Sequence, residues 1–444
     1  MSNSKFHFTT VTAVVIANMV GTGVFTSLGF QLLDIQSGFV LLMLWVAGGV
    51  AAVCGAMSYA ELGAAMPRSG GEYNFLSRIY HPAAGFVSGW VSASIGFTAP
   101  TALAAMTFAA YTASALPDTT RGPWLERVLA IGLVLILALI HAGRRRNSGG
   151  LQVIFTILKV GVIVVFCVAA LSFVDEPQPL QFAPAPGDGA LLTSGAFAVS
   201  LIYVSYAYTG WNSATYLSGE LQNPQRTLPI ILMSATLLVM ALYVGLNYAF
   251  LSVAPIDALR GQIEIGFIAA QAAFGDTTGR FTGLVLALLL VSTVSAMTVA
   301  GPRVLQVIGE DFAALASLAR TNTDGIPSTA IYLQSVVAIL FILTSGFESI
   351  LIFAGFTLAL NSFATVLGVF VLRWRQPDLS RPYRTFGYPL TPLLYLALTG
   401  WTLVFVLINK PLEGFIGLAI VITGLVLYFL SERKSRQVAV TSET

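Results

Sequence analysis

Charge is scarce in this chain: only 9% of its 444 residues are Asp, Glu, Lys or Arg, where a water-soluble domain carries roughly a quarter. That shortage excludes a soluble globule, which would lack the polar material to cover its surface. Histidine is reduced to His7, His81 and His141. They are too scattered for a metal site, and no acidic cluster accompanies them, so neither metal, cofactor nor enzymatic centre is expected. The two cysteines, Cys54 and Cys167, lie inside apolar runs and read as small buried hydrophobes rather than a disulfide or metal pair. A net charge of +2 supplies no basic face for nucleic acid. Long polar stretches are also missing. The longest, 174–190, 254–280, 309–327 and 374–387, are too short for a sensor domain. No cleavable leader is expected either, because the polar start up to Thr10 runs directly into a long apolar segment without a small-residue cleavage pattern.

Apolar length is what the chain has in plenty. Hydrophobic residues make up 56% of it, and the mean hydropathy is +0.82. A spanning helix needs about 20 mostly apolar residues, and twelve such stretches are expected, at 9–33, 38–65, 83–113, 124–142, 151–173, 191–219, 229–253, 281–308, 328–345, 350–373, 388–408 and 412–430. A short helix is expected near 264–275, in the loop before the eighth. The 41 glycines suit close helix packing in lipid. With the N-terminus inside, 16 of the 22 basic residues fall in inner segments and five in outer ones, while Lys159 falls within a span. That bias puts both termini in the cytoplasm. The whole chain, 1–444, reads as one all-α integral membrane domain in contact with lipid.

Two spans carry signs of interruption. The first contains Val20-Gly21-Thr22-Gly23-Val24 and the sixth Tyr206-Ala207-Tyr208-Thr209-Gly210-Trp211-Asn212. Glycine is costly inside a helix and permits open backbone geometry. A helix that unwinds at mid-membrane leaves free N–H groups on one half, which favour an anion, and free carbonyls on the other, which favour a cation. A zwitterion needs both. The alternatives are a small-residue packing seam at the first site and an aromatic packing face at the second. The spacing of five helices between them is what an inverted repeat around a midplane site would produce.

Lys159 lies about eight residues into the fifth span, roughly 12 Å deep at a rise of 1.5 Å per residue. An ionisable residue at that depth is a functional candidate, with snorkelling to the interface as the alternative. At the inner end of the second span, Glu61, Arg68 and Glu72 form either an ion-pair gate or a set of interfacial anchors. Arg144-Arg145-Arg146 reads as a topology determinant facing anionic lipid, and Trp45, Trp90, Trp124 and Trp401 as an interfacial belt.

These residues resemble a known family. Gly21-Thr22-Gly23-Val24-Phe25 is similar to the Gly-Ser-Gly-Ile-Phe motif of the amino acid–polyamine–organocation superfamily. Ser58 to Gly63 and Pro67 to Tyr73 resemble its segment leaving the second span. Thr209-Gly210-Trp211-Asn212 through Asn223-Pro224 resembles its sixth span and following loop, and Gly301-Pro302-Arg303 the end of its eighth. The Trp211-Asn212 pair and Lys159 look most like the L-type amino acid transporter branch and its bacterial relatives.

The resemblance implies a LeuT-type fold: inverted repeats over about 9–173 and 191–373, plus two extra helices over about 388–430. It implies that the N–H groups of Thr22 and Gly23, beside Gly21, hold a substrate carboxylate. The carbonyls of Met19, Tyr206 and Thr209, beside Gly210, would hold its ammonium, with Tyr206 as aromatic gate and Asn212 shaping the side-chain pocket. Lys159 would stand where ion-coupled relatives bind sodium, contacting backbone near Gly21 and the hydroxyls of Ser292 or Ser295. The sequence departs from the pattern at Thr22, where Ser is commoner, and in the loop 114–121, which has no Cys to link an accessory subunit.

The implied function is secondary transport of neutral, small to medium L-amino acids by alternating access in a bacterial inner membrane. Exchange or proton coupling is expected rather than sodium coupling, in a monomer or weak oligomer. No Asp or Glu falls centrally in spans one, three, six, eight or ten, which argues against a strongly cationic substrate. A cationic amino acid or polyamine carrier on the same fold, or a non-transporting sensor, are the alternatives; a channel lacks any filter motif.

Overall fold

A computed structural model describes residues 8–117, 122–143, 149–174 and 177–442. Arg144-Arg145-Arg146 lie outside the described residues, as does most of the polar tip of the loop 114–121. Among the described residues every regular element is a helix.

The first span is two helices, α1 (Phe8–Met19) and α2 (Gly23–Gln31). Ser37 then caps α3 (Gly38–Ala65), its hydroxyl accepting from Val40 N at 3.3 Å. Gly70, with φ +119°, turns the chain into the short α4 (Gly71–Ile79). His81 and Pro82 open α5 (Pro82–Val91). A π-helical turn at Ser92–Gly96 separates it from α6 (Thr98–Ala115), so the third span is interrupted where the sequence reads as continuous. Then come α7 (Pro123–Gly143), α8 (Gly149–Phe173), the short α9 (Asp188–Leu192) and α10 (Gly195–Ala207), capped by Ser194. An irregular stretch and a 3-10 turn (Ser213–Glu220) lead to Asn223, at φ 47°, and to Pro224 at the start of α11 (Pro224–Val253).

Short α12 (Ile256–Leu259) and α13 (Ile265–Phe274), the latter expected near 264–275, precede α14 (Asp276–Asp311). The chain ends with α15 (Ser328–Thr344), α16 (Phe347–Arg375), α17 (Leu390–Asn409) and α18 (Pro411–Ser442).

Among the described residues, ten helical segments are long and apolar enough to cross a membrane. The expected sixth and ninth spans fall on α10 and α15, 13 and 17 residues long, short of about 20. For α10 the reason is the unwinding that follows it.

Burial separates centre from rim. Val11, Val15, Val20, Val24 and Leu28 of the first span are fully buried, whereas Ile157 and Val165 of α8 are 64% and 68% exposed. Apolar side chains turned outward in that number suit lipid, not water. Trp45 does not join an interfacial belt: it is fully buried, its indole N–H donates to Gln31 Oε1 at 3.3 Å, and it meets Tyr243 edge-on.

Candidate binding cavity at two crossed helix breaks

Both glycine-containing stretches are breaks, and they touch. After Met19 the helical bonding lapses: Gly21 N donates back to Met19 O at 2.7 Å, and α2 starts afresh at Gly23. After Ala207 the chain turns through Tyr208–Asn212, with Gly210 at φ +100°. A Cβ on Gly23 would stand 2.5 Å from Ala207 Cα, and one on Gly210 would stand 2.7 Å from the Asn18 carbonyl carbon. Each break therefore packs on the other helix's end, at a separation only glycine allows.

A cavity of about 290 Å³ opens at this crossing. Met19, Gly21, Thr22 and Gly23 line it from the first break; Tyr206, Thr209, Gly210 and Asn212 line it from the second. All eight residues expected to contact substrate thus share one wall. The cavity continues past Val14 and Asn18, along the half of the first span that leads to the N-terminus. The interrupted third span lines it too, through Ser92, Gly96 and Phe97, in keeping with π-turns at ligand sites. Tyr206 is buried, with its phenol beside the Thr22 side chain.

The carbonyls are less free than expected. Tyr243 of α11 places its hydroxyl 2.5 Å from Met19 O and 3.2 Å from Ala207 O, so one phenol closes the ends of both α1 and α10. Tyr206 O accepts from Thr209 N at 3.0 Å and from Thr209 Oγ1 at 2.6 Å. Of the three expected acceptors, only Thr209 O receives none of these bonds, so an ammonium at Met19 or Tyr206 must share or displace the protein's own donors.

Lys159 is 4% exposed and does not snorkel. Its Nζ donates to Thr293 Oγ1 at 2.8 Å, and Thr293 lines the cavity. The two expected hydroxyls lie elsewhere: Ser292 donates to Leu289 O at 2.6 Å, and Ser295 lies 2.8 Å from His141 Nε2. The helical turn of α14 sets this, because Thr293 alone of the three points its hydroxyl between α8 and the cavity.

The acidic residues at the end of the second span and in the segment after it are held in different ways. Glu61 pairs with Arg373 and not with Arg68. Arg373 Nε and Nη2 donate to its two oxygens at 2.8 and 2.6 Å, Thr385 adds its N–H and hydroxyl, both at 2.7 Å, and Arg381 approaches to 3.6 Å. Arg68 is exposed. Glu72 is carried by α4 into the cavity wall, where Asn212 Nδ2 donates to it at 3.1 Å. Asn212 is therefore committed to a carboxylate as well as facing the cavity. Tyr243, Thr293 and the cavity position of Glu72 escape sequence reasoning. A tyrosine or threonine in an apolar helix looks like any other, and nothing in Gly70-Gly71-Glu72-Tyr73 shows that α4 folds back inward.

Comparison with known proteins finds relatives along nearly the whole chain. A family model described as amino acid permease matches residues 6–433. The mouse (Mus musculus) b(0,+)-type amino acid transporter 1 is 26% identical over 427 residues, covering 94% of this chain and 85% of the relative. The human (Homo sapiens) large neutral amino acids transporter small subunit 2 is 28% identical over 440 residues, covering 94% and 78%. The mouse Asc-type amino acid transporter 1 is 28% identical over 441 residues, covering 94% and 79%.

Proposed function

We propose that this chain, which belongs to the amino acid permease family, carries neutral, small to medium L-amino acids by alternating access. It is a multi-pass membrane transporter of that family and not an enzyme; its substrate and coupling are the proposal. The observation that carries the reading is the crossing of two broken helices on one cavity, Gly23 against Ala207 and Gly210 against Asn18. The start of α2 offers N–H groups to a carboxylate, and Thr209 lines the same space, so a zwitterion is recognised by main chain with little side-chain charge.

The proposed architecture is twelve spans, with 9–173 and 191–373 as inverted repeats and 388–430 as extra helices. Spans one, two, six and seven rock against the rest. Lys159, fixed or titratable, supplies a positive charge beside Thr293, so transport runs by exchange or proton coupling without sodium. Both termini are assigned to the cytoplasm by the basic-residue bias, in a bacterial inner membrane. With only Cys54 and Cys167 in the chain, both within helices, the carrier works without a disulfide-linked subunit.

A cationic amino acid or polyamine gains support as second substrate class from Glu72 in the cavity wall. The neutral reading is preferred because that carboxylate is already held by neutral donors. A thermal-shift screen of the twenty amino acids separates the two, since a ligand stabilises the form that binds it. Stabilisation by small neutral amino acids is expected; selective stabilisation by arginine or putrescine selects the second reading. Uptake into proteoliposomes that depends fully on a sodium gradient overturns the role given to Lys159.

A further inference from the structure

Glu72 is a buried carboxylate that the substrate cradle does not use. It is 3% exposed, and five neutral groups converge on it. Oε1 accepts from the Tyr59 hydroxyl, from Asn212 Nδ2 at 3.1 Å and from Ser362 Oγ at 3.1 Å; Oε2 accepts from the Asn361 amide and from Tyr216 OH at 3.4 Å. Among the described residues no Lys or Arg lies within ion-pair distance of it. A carboxylate offers about four lone-pair directions, so an organic cation or a metal ion reaching it from the cavity must displace some of five donors. A proton needs no volume and only one of those lone pairs.

The donors belong to different moving parts. Tyr59 is on α3, Asn212 and Tyr216 follow α10, and Asn361 and Ser362 are on α16. We propose that Glu72 is a proton-binding site of the transport cycle: ionised, it clamps α16 to α3 and the stretch after α10; protonated, it holds them more weakly. The inference rests on the transport reading, in which α3 and the α10 stretch rock against α16. The chemistry of the donors makes the clamp conditional. A hydroxyl can turn to accept whereas an amide N–H only donates, so a proton on either oxygen is taken by Tyr59, Ser362 or Tyr216 while the bonds from Asn212 and Asn361 lose the charge assistance of the carboxylate. Burial pushes the Glu72 carboxyl up from its ordinary range, and the hydrogen bonds from Tyr59, Ser362, Tyr216 and Asn212 only partly offset that rise. The other titratable groups facing it are the phenols of Tyr59, Tyr216 and Tyr395. The charges of the packed helices are engaged elsewhere, Arg373 on Glu61 and Arg375 on Ile79 O.

Counterflow of the twenty radiolabelled amino acids in proteoliposomes, with the same pH on both sides, tests this. From about pH 8 to about pH 5 the wild-type rate for the transported amino acids should rise on the order of fivefold as Glu72 takes up its proton. Glu72→Gln should hold the acid-side rate, varying by less than about twofold over that range, and Glu72→Asp should keep a response with a displaced midpoint. Saturable counterflow that is flat with pH in the wild type, or a Glu72→Gln profile matching the wild type, overturns the proton site and leaves the transport reading standing. No saturable counterflow of any amino acid overturns both. Should Glu72→Gln fail to fold, infrared difference spectra of the wild type decide the matter. A protonated-carboxyl band that appears on acidification and moves in Glu72→Asp supports the assignment, and its absence overturns it.

Discussion

Glu61 and Glu72 stand close in the chain and are both buried, at 1% and 3% exposure, yet they are held in opposite ways. Glu61 meets a bidentate guanidinium from Arg373, a second from Arg381 and two donors from Thr385. Glu72 meets only hydroxyls and amides. A matched ion pair fixes charge at one value, because neither partner can change protonation without stranding the other. A charge held by neutral dipoles has no such lock. Lys159, bonded to a threonine hydroxyl, falls with Glu72. The two charges held by neutral groups reach the cavity, Glu72 directly and Lys159 through Thr293, while Glu61 does not line it. Glu61 thus holds α3, α16 and the 376–389 loop together, while the proposed roles in transport fall on Glu72 and Lys159.

The strongest way to break this contrast is Glu61→Gln. It strands the half-buried guanidinium of Arg373 and should cost about 2–4 kcal/mol, read from denaturant or thermal unfolding in detergent. A loss below about 1 kcal/mol would put Glu61 in the same class as Glu72. Arg373→Lys is a finer cut. It keeps the charge but loses one of two parallel hydrogen bonds and the stacking of the guanidinium 3.6 Å over the Tyr388 ring, for about 1–2 kcal/mol. Lys159→Ala should change stability by no more than about 1 kcal/mol, since its ammonium bonds a neutral hydroxyl, while proteoliposome counterflow falls on the order of tenfold. Unchanged counterflow would return Lys159 to a packing role.

The smallest effect is expected at Glu72. Glu72→Gln should stay within about 1 kcal/mol of wild type, because the side-chain shape is kept and a buried charge is removed. The pH sign sharpens the test. A carboxyl raised above its unfolded value binds a proton first in the folded state, so its contribution to stability is lost as pH rises through the folded value. Wild type minus Glu72→Gln stability should therefore fall from about pH 5 towards neutral. A difference that does not move with pH, or that moves the other way, contradicts the environment described for Glu72.

Much of the site was legible because its signals are local. Gly21 and Gly23 flanking Thr22, and Gly210 among aromatics, advertise breaks through the conformational cost of glycine, and the eight residues read from them do line one cavity. The missed contacts are all long-range. Tyr243 reaches Met19 O from α11, Thr293 takes the bond assigned to Ser292 and Ser295, and Glu61 takes its partner Arg373 from α16. None has a periodic or compositional mark, since each depends on which face of one helix meets which face of another. The π-turn at Ser92–Gly96 escaped although its marks are local: Gly96 lies in it, and Pro100 four residues on has no N–H for the Gly96 carbonyl.

Composition and hydropathy by themselves determined the solvent, the helical class and the places where the backbone must open, because desolvating a peptide group in lipid leaves helices as nearly the only choice and glycine as the natural exception. Whether the two openings would meet, and which buried charges would be matched or left to neutral partners, only the tertiary structure decided. Those outcomes turn on ångström-scale approach between helices far apart in the chain, such as Gly23 against Ala207 and Asn361 against Glu72, and no local pattern encodes such a distance.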